Sequence, residues 1–260
     1  MRQGGILSPA LFNIFIDDLS VVLRELSIGC HINSVSFNHL VYADDTVLLA
    51  PSPNALQILI SRCEQFAKCH DLLFNVKKTK CMCIKPELLK DIHVPKFFLN
   101  GSPITQVAEE CYLGVNITEN CRDDSAIDKE RKKLYARGNT ILRKFKHCTH
   151  DVKIELFLAY CSSFYCASLW SDFKQTSFKS IHVAHNTMFK MLMGANKRSS
   201  ASELFAIYNV PNMLVIQRKL VFSLYKRVLS SHNMLVATIV SGAHFNVSNL
   251  YNKWIRVLFK

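Results

Sequence analysis

Asp44 and Asp45 stand side by side between two short apolar runs, in the stretch Leu40-Val41-Tyr42-Ala43-Asp44-Asp45-Thr46-Val47-Leu48-Leu49. Val41, Tyr42, Val47 and Leu48 favour strand, and Asp at the edge of such a run favours a turn. The stretch therefore predicts a hairpin with both acids at its tip. Neighbouring side chains on a strand point to opposite faces, so the turn has to aim both carboxylates. Two carboxylates this close repel each other unless a cation lies between them. A hard divalent ion such as Mg²⁺ suits the place, because it takes oxygen ligands and keeps waters for a phosphate substrate. A bare Asp-Asp pair is ordinarily just a polar turn. Its neighbours decide which it is here.

Three further segments accompany the hairpin. Upstream lies Arg2-Gln3-Gly4-Gly5-Ile6-Leu7-Ser8-Pro9-Ala10-Leu11-Phe12-Asn13. Downstream lie Leu73-Phe74-Asn75-Val76-Lys77-Lys78-Thr79-Lys80 and Tyr112-Leu113-Gly114-Val115. With Tyr42-Ala43-Asp44-Asp45, these segments resemble four motifs of reverse transcriptases, in the family's order and at roughly its spacing. The resemblance covers about residues 2 to 117. The helical remainder resembles, more diffusely, the thumb of non-LTR (LINE-type) retrotransposon enzymes.

The resemblance implies an α+β fold in three parts. Residues 1–121 would be a partial polymerase palm, an antiparallel sheet with helices. Residues 122–195 would be a helical thumb and 196–260 a basic helical C-terminal extension. It implies RNA-directed DNA polymerase activity, with Asp44 and Asp45 as catalytic ligands of Mg²⁺ or Mn²⁺. Gln3 and Gly4 would border the incoming nucleotide. Lys78 would lie near the triphosphate and protonate the leaving pyrophosphate, a role open to a lysine of tuned pKa. Tyr112, Leu113 and Gly114 would form the primer grip. The implied partners are an RNA template and DNA primer duplex, with deoxynucleoside triphosphates as substrates. Transfer to a primer 3′-OH uses two divalent ions about 4 Å apart. In the family a further aspartate comes from a strand before the Gln-Gly loop, and this chain begins inside that loop's motif. The chain is therefore expected to be truncated and inactive as it stands. The alternative is a non-catalytic nucleic-acid-binding remnant of such an element.

Charge supports a polyanionic partner. Residues 129–260 hold 21 Lys and Arg against 5 Asp and Glu, a net +16, whereas residues 1–128 hold 11 against 15, a net −4. Lys129, Lys132, Lys133 and Arg137 fall three and four residues apart, so they share a helix face that would track a phosphate backbone. Ten cysteines lie scattered without a disulfide framework, which fits free thiols in a reducing compartment. His147-Cys148-Thr149-His150 and His182-Val183-Ala184-His185 lack paired cysteines at zinc spacing, so no zinc is expected. Pro9, Asn13 and Asp17-Asp18 spoil the amino-terminal apolar stretch as a signal peptide. The expected place is intracellular, cytoplasmic or nuclear, and not secreted. The uncharged run Leu156–Ser171 is too short for a membrane span and predicts a buried helix.

Element signals follow the chain. Ser8-Pro9 predicts a helix start, with Ala10, Leu11, Ile14, Phe15, Leu19 and Val22 on one face. Ser52-Pro53 predicts another, with Leu56, Leu59, Ile60, Cys63, Phe66 and Ala67 buried. Residues 72–74 and 81–84 read as strands around the loop of Lys78. Asn100-Gly101 predicts a type I′ hairpin turn, and 111–117 a single strand. Helices are predicted over about 123–147, 151–170, 177–193 and 211–229, with a capping box at Ser200 to Glu203.

Overall fold

Ser52-Pro53 caps and starts a helix as expected in the computed structural model, which describes residues 6–33, 35–85 and 93–259, whereas the helix beginning at Ser8 has Leu7, not Ser8, at its N-cap. Gln3 and Gly4 lie outside the described residues. The chain divides into two compact units, Met1–Ala108 and Glu109–Lys260.

In the first unit, α1 (Ser8–Arg24) packs on α2 (Pro53–Cys69), whose N-cap Ser52 accepts the Ala55 N–H. The strands are short: β1 (Cys30–Ile32), β2 (Val35–Phe37), β3 (His39–Tyr42), β4 (Asp45–Leu48), β5 (Lys80–Cys81), β6 (Phe98–Leu99), β7 (Ser102–Pro103) and β8 (Thr105–Gln106). Ile16, Leu19 and Leu23 of α1 meet Leu59, Cys63 and Phe66 of α2 to form a core. Each such fully buried side chain stabilises the unit by about 1.5–3 kcal/mol. The predicted α1 face is corrected in part: Leu19 is buried, but Leu11 and Ile14 are 53% and 71% exposed. Because α1 is apolar nearly all round, the partner helix selects its buried side. A second cluster joins Ile60 to Cys81, Phe97, Leu99 and Ile104.

The second unit opens with the hairpin of β9 (Glu109–Tyr112) and β10 (Val115–Thr118). The helices are α3 (Asp124–Lys144), α4 (His150–Leu156), α5 (Gln175–Leu192), α6 (Ala201–Ile207), α7 (Met213–Leu229), α8 (Met234–Ser241) and α9 (Asn249–Phe259). Its core joins Ile127, Leu134 and Ile141 of α3 to Ile181, Met188 and Leu192 of α5. The two helices approach closely at Gly138, where a Cβ would come within 2.2 Å of the Met188 sulfur. Caps follow the sequence signals: Ser200 accepts from the Glu203 N–H, and Asn212, rather than Pro211, caps α7.

The architecture is α+β, with further differences from expectation. Among the described residues the strands form five separate two-stranded pairs, and β5 with β8 is parallel. Val41 and Leu48 seat the β3–β4 pair on the α1–α2 core, so helices rather than neighbouring strands hold it. The predicted helix over 151–170 stops early. After α4 comes a π-helical turn, Phe157–Cys161, and residues 162–174 are irregular. No described helix is long and apolar enough to cross a membrane.

Candidate catalytic hairpin and basic helix

The Asp-Asp stretch forms a hairpin in which Tyr42 pairs with Asp45. Ala43 and Asp44 make the two-residue turn, with Ala43 in the left-handed region at φ 53°. Short hairpin loops need such a residue because it matches the twist of the strands. Asp44 therefore sits in the turn and Asp45 opens β4. Both are exposed, and neither carboxylate has a hydrogen-bond or ion-pair partner among the described residues.

Asn38 anchors the base of this hairpin and was not singled out from the sequence. It is 3% exposed, and its Nδ2 donates to the carbonyls of Leu23 and Ile28 at 2.6 and 2.7 Å. Its own carbonyl accepts the Leu49 N–H at 2.7 Å. The sequence carries no signal for it, since Asn33, Ser34, Ser36 and His39 make the neighbourhood polar as well. Asn38 Oδ1 lies 2.6 Å from His39 Nδ1. Burial holds the His39 pKa below the ordinary histidine value and nearby Arg24 adds to this, while Asp17 opposes it.

Lys78 lies in the same unit, in a turn over residues 76–78 rather than between two full strands. The Asn75 carbonyl accepts the N–H groups of Lys78 and Thr79 at 3.1 and 2.9 Å. It also accepts the Thr79 hydroxyl at 2.9 Å. These bonds fix the turn and leave the Lys78 side chain exposed.

Tyr112, Leu113 and Gly114 belong to the second unit. The single strand predicted here is a hairpin, because Leu113 and Gly114 both take positive φ, 47° and 79°. The Tyr165 hydroxyl donates to the Leu113 carbonyl at 2.8 Å. A Cβ on residue 114 would come 2.9 Å from the Tyr165 ring. Gly114 is thus required both by the turn and by the close approach of Tyr165.

On α3 the four predicted phosphate-binding cations have protein partners. Lys129 Nζ lies 3.5 Å from Cys111 Sγ, and Lys133 pairs with buried Glu130 at 2.6 Å. Lys132 pairs with Asp128 at 2.7 Å, yet its side chain stays 72% exposed. Hydrogen bonds from Lys132 and Arg131 hold the Asp128 carboxyl below its usual range. Arg137 Nη1 donates to the carbonyls of Tyr160 and Ser163 at 3.2 and 3.4 Å. Lys132 is the most exposed of the four.

The irregular stretch beyond Cys161 has its polar backbone groups met from elsewhere, a general requirement of folded chains. Arg137 takes carbonyls, and Asp123 Oδ2 accepts the N–H groups of Ser171 and Asp172 at 2.7 and 3.0 Å. Trp254 Nε1 donates to the Ser168 carbonyl at 2.7 Å. Burial raises the Asp123 pKa, and the two N–H bonds work against that rise.

Residues 1–117 match the family described as reverse transcriptase (RNA-dependent DNA polymerase). That match takes in the Asp-Asp hairpin and leaves the helices from α3 onward outside it. The chain is also 31% identical over 124 residues to the Retrovirus-related Pol polyprotein from type-2 retrotransposable element R2DM of Drosophila melanogaster. It is 34% identical over 125 residues to the Retrovirus-related Pol polyprotein from type-1 retrotransposable element R2 of Nasonia vitripennis. The matched stretches take up 45% and 44% of this chain but 12% of each relative. These matches bear out the resemblance to reverse transcriptases of LINE-type retrotransposons over the amino-terminal segment.

Proposed function

We propose that the chain is part of an RNA-directed DNA polymerase of an R2-like retrotransposable element. The β3–β4 hairpin is its catalytic palm hairpin, the Leu113–Gly114 turn its primer grip, and the helices from α3 onward its thumb. The observation that carries this reading is the pair of exposed, unpartnered carboxylates of Asp44 and Asp45 inside the family-matched segment. Two free hard-oxygen side chains on adjacent residues fit Mg²⁺ or Mn²⁺. Among the described residues, no three His, Cys, Asp or Glu side chains gather where a metal would sit. Asp44 and Asp45 therefore make a partial, weak site. A divalent ion bound there supplies positive charge for phosphoryl transfer.

The chain's own groups do the rest. Asp44 and Asp45 bind and orient. Exposed Lys78 donates a proton to departing pyrophosphate. Tyr112, Leu113 and Gly114 position the primer end, and Lys132, with Lys129, Lys133 and Arg137 beside it, faces the duplex of RNA template and DNA primer. Titration with Mn²⁺, followed by water-proton relaxation, is expected to show saturable millimolar binding. The double variant Asp44→Asn, Asp45→Asn should lose it. Equal binding by that variant would remove the catalytic assignment of the hairpin.

A further inference from the structure

On α7, Met213, Ile216 and Val221 are buried. On the opposite side Val215, Lys219, Phe222 and Lys226 recur at steps of four and three residues, so they share one narrow face. All four are exposed. Lys226 Nζ lies 4.7 Å from the centroid of the Phe222 ring, and Phe222 remains 48% exposed. Lys219 and Lys226 lie about 10 Å apart along the helix axis, with Phe222 between them. Residues 204–260 hold seven Lys and Arg and no Asp or Glu. No acid in that stretch neutralises the stripe, so its complement is an anion.

The ring narrows the choice of anion. In a duplex the bases are already stacked and offer no free face to a side chain. An unpaired base can stack on phenylalanine while flanking phosphates meet lysines. A membrane-surface helix would instead turn its wide apolar side outward. That side of α7 is already committed to the cores around Met213, Ile216 and Val221.

We infer that the outer face of α7 binds single-stranded nucleic acid, with Phe222 stacked on an unpaired base and Lys219 and Lys226 on neighbouring phosphates. The inference rests on the polymerase reading for its class of partner. It adds a contact outside the Asp-Asp hairpin, the primer grip and α3.

The test uses the full chain and two labelled probes of equal length, a single-stranded oligonucleotide and its abasic counterpart. Phe222→Ala should weaken binding of the base-bearing strand roughly 5- to 100-fold and leave the abasic strand unchanged. Phe222→Tyr should restore the affinity. The pair Lys219→Gln, Lys226→Gln should weaken both probes. Because all these positions are exposed, the thermal midpoint should stay unchanged. Binding that ignores Phe222→Ala, or an equal loss on both probes, overturns this inference alone. With phosphatidylserine vesicles as a third probe, a loss on Phe222→Ala confined to the vesicles overturns it as well. A wild-type chain that binds neither strand overturns it together with the polymerase reading.

Discussion

His185 is 0% exposed, and its ring stacks on Phe205 at 5.4 Å and tilts against Phe157 at 4.9 Å. Neither ring nitrogen has a hydrogen-bond partner among the described residues. Burial pushes its pKa down to about 3, with His182 adding to the shift. A folded pKa below the unfolded value means that the unfolded chain takes up protons more readily. The stability held by neutral His185 is therefore complete above about pH 6.5 and lost as pH falls toward 3. At full extent the loss is on the order of 5 kcal/mol. Between about pH 6.5 and 5, above most carboxylate titrations, urea midpoints of the wild-type chain should fall. Those of His185→Leu should fall less steeply. His39 has a shift of the same sign, is present in both chains, and so cancels in the comparison. Parallel slopes for the two proteins would exclude His185 as the cause.

At the scale of elements, α3 divides its cations between two tasks. Arg137 satisfies the carbonyls of Tyr160 and Ser163, so Arg137→Ala should destabilise the protein by on the order of 1–3 kcal/mol. Lys132, mostly in water, should matter little to folding. Lys132→Glu should instead reduce the slope of log affinity against log salt for an RNA–DNA duplex by about one contact. If both variants melt like wild type and share its salt slope, α3 does neither job. This division was illegible in the sequence, where Arg137 and Lys132 look alike on one basic stripe. Signals that are local came through well: Ser52, Ser200, the Asn100-Gly101 turn with φ of 52° and 71°, and the Asp-Asp tip. What failed depends on distant partners. The break after Cys161 needs Arg137 and Asp123, 26 and 48 residues from the backbone groups they satisfy. The outward side of α1 was misjudged because α2, not the periodicity of α1, chooses which residues are covered.

For the whole molecule, the division after Ala108 places the Leu113–Gly114 turn with the helices that follow it. Tyr165 holds that turn through the Leu113 carbonyl, and Asn116 Nδ2 donates to Ser125 Oγ at 2.9 Å. A fragment of residues 109–260 should therefore melt cooperatively, and at a higher temperature than one of residues 122–260. Equal midpoints for the two fragments would show that the hairpin adds nothing to the helical unit. The bond from Trp254 to Ser168 joins positions 86 residues apart in the same unit. A ribosome makes the Ser168 carbonyl long before it makes the indole that will hold it. During synthesis the irregular stretch must wait, unfinished, while α5, α6, α7 and α8 emerge. A nascent chain stalled before residue 254 thus leaves the Ser168 carbonyl without its indole donor, although Arg137 and Asp123 already hold their parts of the stretch.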